Sequence, residues 1–81
     1  MTLFELNPGE HASVVKVRGD GALRLRLLDM GLVPGTDVKM LRRAPAGDPV
    51  EIALRGFCLS LRRADAETVE IKMKADRGKH T

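Results

Sequence analysis

Apolar and polar positions alternate along most of this chain and recur at helical spacing in one place. Val15 and Val17 alternate with Lys16 and Arg18, which predicts a strand over 13–18. Val38 and Met40 predict a second strand over 37–43. Val50, Ile52 and Leu54 alternate with Glu51, Ala53 and Arg55, and Phe57, Leu59 and Leu61 resume the alternation beyond Gly56. Arg55-Gly56 therefore suits a two-residue hairpin turn, with Cys58, Ser60 and Arg62 pointing outward. Val69, Ile71 and Met73 mark a last strand. Phe4 and Phe57 both fall where a core would take them.

Residues 22–30 break the alternation with Ala, Leu, Arg and Met, which favour a helix. Asp20 is placed to cap its start. Its end is marked by Gly31 at the left-handed position, Leu32 for the accompanying apolar contact, and Pro34 beyond. Pro34-Gly35 suits the centre of a type II turn. Thr2 and Glu5 have the spacing of a capping box, so one helical turn starts there and Pro8-Gly9 ends it. Residues 44–49 are loop by composition, and 63–67 suit a short helical turn. The expected fold is mainly β: about five short strands curled into a small barrel, a helix (about 22–30) between strands one and two, and a helical turn before the last strand. Curling also removes exposed strand edges. Residues 1–74 form the single domain, and 75–81 a polar, disordered tail.

The helix carries more leucine than a surface helix needs. On a helical wheel Leu23, Leu27 and Met30 share one side, Leu25 and Leu28 another, and Arg26 and Asp29 the remainder. Two outcomes follow. Both stripes are buried, one on the barrel and one under the N-terminal segment with Leu3, Phe4 and Leu6, or one stripe stays exposed and receives a partner.

Composition narrows the function. The 81 residues hold one cysteine, Cys58, so no intramolecular disulfide forms, and a lone thiol fits a reducing, cytoplasmic compartment. Cys58, His11 and His80 are too scattered for a zinc motif, so no metal or cofactor is expected. No Ser–His–Asp or Cys–His pairing, P-loop or G-x-G-x-x-G is present, so no enzymatic activity is expected. No apolar run is long enough to insert in a bilayer, and residues 1–10 lack the pattern of a secretory leader. The net charge is +3 with a pI near 9.5. Arg42-Arg43 and Arg62-Arg63 fall at strand ends, where they form either a solvated rim or a basic one for an acidic protein, a phosphate or a lipid headgroup. A nucleic-acid-binding barrel is an alternative, but two Phe with no Trp or Tyr leave few rings on which bases could stack. A metal or nucleotide effector site is a third reading, for which no ligand cluster is visible.

The string Arg26-Leu27-Leu28-Asp29-Met30-Gly31-Leu32-Val33-Pro34-Gly35 adds to this. It is followed by Leu41 to Ile52, containing Ala44-Pro45-Ala46-Gly47-Asp48-Pro49, and by Arg55 to Arg62. Together they resemble the FeoA family of bacterial ferrous iron transport, from about Leu3 to Ile71, with Met30 where leucine is common. The resemblance implies an SH3-like barrel. It also implies an accessory or regulatory role beside a FeoB-type membrane transporter with a cytosolic G-protein domain. The same module occurs in iron-dependent repressors, a metal-responsive alternative against which the lack of a helical DNA-binding domain counts. Leu27 and Leu28, with Leu25 beside them, are the expected partner contacts. Self-association through this helix is the competing use of the same stripe.

Overall fold

The computed structural model describes residues 1–74. The expectations for the 75–81 tail and for His80 lie outside these residues. Five antiparallel strands, β1 (His11–Val17), β2 (Asp37–Arg43), β3 (Val50–Leu54), β4 (Phe57–Leu61) and β5 (Val69–Met73), lie in the order β4-β3-β2-β1-β5. Helix α1 (Gly21–Asp29) joins β1 to β2, and the single turn α2 (Arg63–Ala66) joins β4 to β5. A 3-10 turn, Leu3–Glu5, precedes β1. The Glu5 carboxylate accepts the Thr2 amide at 3.1 Å, within the capping box expected there. The inward faces bury Val14, Val38, Met40, Val50, Ile52, Leu54, Leu61, Val69 and Ile71 around one core. Among the described residues no ladder joins β4 to β5, so the hydrogen-bonded ring stays open there and β4 keeps a free edge.

The β3–β4 hairpin follows the sequence pattern. Leu54 pairs with Phe57, and Arg55 (φ 50°) and Gly56 (φ 85°) are both left-handed, as a two-residue primed turn requires. The end of α1 is equally legible. The Gly31 amide donates to Leu28 O at 2.9 Å and the Leu32 amide to Leu27 O at 3.2 Å, the paired bonds of a Schellman motif. Gly31 has φ 105°, and a Cβ there would sit 3.4 Å from Leu54 Cδ1. Gly31→Ala is expected to cost about 1–2 kcal/mol from the left-handed backbone alone, measurable by urea unfolding. An unchanged midpoint would show that the helix exit relaxes without penalty. The Thr36 hydroxyl donates to Gly31 O at 3.0 Å and accepts from Arg55 at 3.3 Å, which ties the helix exit to the hairpin.

Two bulges depart from the simple alternation. In β1 the register against β5 shifts between Val14 and Lys16, placing Val14 and Val17 inward and leaving Val15 40% exposed. The expected pairing of Val15 with Val17 on the inner face is therefore corrected. In β2 the register against β3 shifts between Met40 and Arg42, so Arg42 lies beside Glu51 on the outer face and Arg43 beside buried Val50. One extra residue thus exchanges the faces of two adjacent arginines.

Candidate functional site

Helix α1 carries the candidate contact residues, and the structure separates them. Leu27 is fully buried in the core; Leu23, Leu28 and Met30 are half-buried against it; Leu25 is 60% exposed. Leu27 thus anchors the helix and offers no surface to a partner, which corrects its expected role. Leu25 and Leu28, one turn apart, form the apolar stripe left at the surface. The Arg24 guanidinium lies beside them and donates to Val17 O at 3.3 Å.

The N-terminal segment does not cover this stripe. Its 3-10 turn packs against β5 and α2 instead. The Ile71 amide donates to Met1 O at 2.9 Å, and Thr2 bridges to Glu70. Burial of both helix stripes is thereby excluded: Leu3 and Leu6 fill the core directly, and Leu25 stays in solvent.

The four rim arginines divide by the bonds they make. Arg43 donates to the carbonyls of Phe4 and Leu6 and stacks its guanidinium 4.6 Å from the Phe4 ring centroid. Arg63 lies 5.1 Å from the same ring, and its side chain bonds Glu67 at 2.8 Å while its amide donates to Asp48 at 2.9 Å. Both therefore clamp the N-terminal turn. Arg42 pairs with Glu51 at 2.8 Å, a hydrogen bond and opposite charge that raise its pKa. Arg62 is exposed, and its carbonyl accepts the Asp65 and Ala66 amides at the start of α2. A cleft of about 220 Å³ lies between Arg42, Arg43, Ala44, Pro45, Pro49 and Glu51. Because Arg42 and Arg43 are already bonded, it is not a cradle of free cations.

Cys58 is exposed on β4, as the alternation predicted. Its outer-face row runs Cys58, Ala53, Lys39, His11 across four strands, which leaves Cys58 and His11 about 14 Å apart at the usual strand spacing. No group of three potential metal-ligating side chains occurs among the described residues. Phe57 is 45% exposed, against the core placement expected for it. It points inward, but it stands on the edge strand at the open side of the ring, where nothing covers it fully. Sequence periodicity also gave no sign that the outer face of β5-β1-β2 would gather lysines, because the strand order that joins first and last strands is not written in any local pattern. No helix among the described residues is long and apolar enough to cross a membrane.

Five antiparallel strands with a helix in the first crossover and a helical turn before the last strand make the SH3-like class of small barrel. The FeoA domain matches residues 1–73, and the chain belongs to the FeoA family. The FeoA protein of Chlorobium tepidum is 42% identical and superposes with a TM-score of 0.86, over 99% of this chain and 76% of that one. The Stenotrophomonas maltophilia FeoA, complexed with zinc and described as a prokaryotic SH3 domain protein, is 30% identical with a TM-score of 0.79, over 89% of each chain. An Fe(2+) transport protein A/Fe(2+) transporter FeoB fusion protein of Porphyromonas gingivalis is 40% identical over 73 residues, 90% of this chain. This chain spans 9% of that protein's length.

Proposed function

We propose that this chain is a non-enzymatic accessory module of ferrous iron uptake. In this reading it acts in the cytoplasm and binds the cytosolic part of a FeoB-type membrane transporter through Leu25 and Leu28 of α1. The observation that carries the reading is the Porphyromonas gingivalis protein, whose name joins a transport protein A and a FeoB transporter in one chain. Fusion holds two partners at high effective concentration, which favours a weak, specific contact between them. On this chain the exposed Leu25, flanked by half-buried Leu28, supplies an apolar stripe on a rigid element.

The test is titration of the purified cytosolic domain of the transporter with this protein. Leu25→Gln should weaken binding about tenfold or more while the thermal melt stays at the wild-type midpoint. Leu28→Ala should weaken it as well, with a modest loss of stability because Leu28 also packs on the core. Wild-type affinity in folded Leu25→Gln protein would remove the helix from the interface. Absence of any binding by the wild type would remove the transporter's cytosolic domain as its partner.

A further inference from the structure

The outer face of strands β5, β1 and β2 carries an unneutralised charge that the helix contact does not use. The two registers place Lys72 and Asp37 on either side of Ser13, Glu70 beside Lys16, and Lys39 beside His11. Arg18 and Lys74 flank the same face, where each already holds one of its carboxylates. Arg18 bonds Glu70 at 2.9 Å, and Lys74 reaches across β1 to Asp37 at 2.9 Å. The hydrogen bond from Arg18 is the main cause that holds the Glu70 carboxyl below the usual range, and the nearby Lys16 charge adds to it. At the far end of β2, Arg42 is matched by Glu51. Lys16, Lys39 and Lys72 remain, each exposed and without a carboxylate within 4.0 Å among the described residues.

With Arg18 and Lys74 set against Glu70 and Asp37, these three lysines leave this face a local excess of three positive charges. Lys72 stands one strand from Lys16 and two from Lys39, about 5 and 10 Å across the sheet. Lys16 and Lys39 lie about 16 Å apart along it, beyond the screening length of about 8 Å at physiological salt, so each lysine meets a facing surface largely as a separate charge. The β1 bulge turns Val15 outward next to Lys16, at 40% exposure. Met1 and Met73, also partly exposed, lie beside and at the end of β5.

We propose that the outer face of β5-β1-β2 is a docking surface for an anionic phospholipid bilayer, with Lys16, Lys39 and Lys72 over the headgroups and Val15 at the contact. The choice of occupant follows from the kind of charge and its layout. The free cations of this face among the described residues are lysines, compact point charges, and none of them is an arginine fork built for bidentate recognition of a fixed carboxylate. They stand apart on a sheet face, each on a different strand. A fluid plane of headgroups can move a phosphate under each one, whereas a protein partner would need carboxylates matched to all three positions. Exposed apolar side chains beside basic ones suit the same interface.

The proposal does not rest on the transporter reading and shares no residue with it, so the two can fail separately. Co-sedimentation of the full chain with phosphatidylcholine vesicles, with and without phosphatidylglycerol, tests it. Binding should appear only with phosphatidylglycerol and fall as salt rises. The variant K16Q/K39Q/K72Q keeps the Arg18–Glu70 and Lys74–Asp37 pairs, should melt as wild type, and should bind about a hundredfold more weakly. Leu25→Gln should bind vesicles as wild type does. Equal binding to both vesicle types, or no binding at low salt, overturns the proposal. Wild-type binding by the lysine variant, or loss of binding in Leu25→Gln, places the membrane contact elsewhere and overturns it too. Salt-sensitive capture by the transporter's soluble domain, abolished in the lysine variant without vesicle binding, would assign the face to an acidic protein instead.

Discussion

Leu27→Ala is expected to lower the unfolding free energy by about 2–5 kcal/mol, the range for emptying a buried leucine site. Leu27 has no exposed surface, and its carbonyl also closes the Schellman bond from Leu32. The helix buries no other side chain completely, so Leu27 is its main anchor in the core. For a domain of this size the loss corresponds to a fall of roughly 10–30 °C in the melting midpoint. Total stability of such a domain is of order 5 kcal/mol, so Leu27→Gln, which adds an unpaired amide, should prevent folding. Leu25→Ala on the same helix should change stability by no more than about 0.5 kcal/mol. Chemical denaturation of the pair is therefore decisive. Equal midpoints for the two variants would mean that α1 is not anchored through Leu27. Because Leu27 is buried, loss of partner binding in a destabilised Leu27 variant reports unfolding and not a lost contact.

Arg43→Met should cost about 2–3 kcal/mol and free the N-terminal turn. The Arg43 guanidinium serves two backbone carbonyls, of Phe4 and Leu6, and lies over the Phe4 ring. Its removal strands two part-buried acceptors, which costs more than the loss of a surface ion pair. Arg43→Lys should recover little of this, because an ammonium cannot bridge both carbonyls while lying flat on a ring. The local readout is amide exchange at Gly9, whose N–H bonds Met40 O at 2.8 Å, and at Ile71, whose N–H bonds Met1 O at 2.9 Å. Both should exchange faster in Arg43→Met. Arg42→Met is the control: its partner Glu51 is a surface contact worth about 0–1 kcal/mol, and exchange at these amides should not change. Equal effects of the two substitutions would show that the clamp does not hold the turn.

The contrast between these two arginines shows what the sequence can and cannot convey. Adjacent and identical, they read as one basic rim. The β2 bulge gives them opposite roles, because an extra residue in the strand shifts every following side chain to the other face. The β1 bulge does the same to Val15. Bulges depend on what the partner strand demands, and no local signal marks them. Features fixed by backbone conformation were legible: the Arg55-Gly56 turn, the Gly31 helix exit and the Pro34-Gly35 turn, closed by the Thr36 amide on Val33 O at 3.0 Å. The excess of leucine on α1 was legible as well. Its division into a buried Leu27 and an exposed Leu25 was not, since that depends on where the N-terminal segment goes. The segment is held over β5 and α2 by Arg43 and Arg63, a long-range arrangement.

The bond from the Ile71 amide to Met1 O brings the two ends of the domain side by side at the β5 edge. A peptide linker could join those ends and a new opening be cut in the 44–49 loop, so the chain is a natural subject for circular permutation. Placed within a longer polypeptide, a domain with adjoining ends enters and leaves at one point. It then hangs as a pendant, and its loops, helix and outer sheet face stay free to turn toward whatever lies nearby.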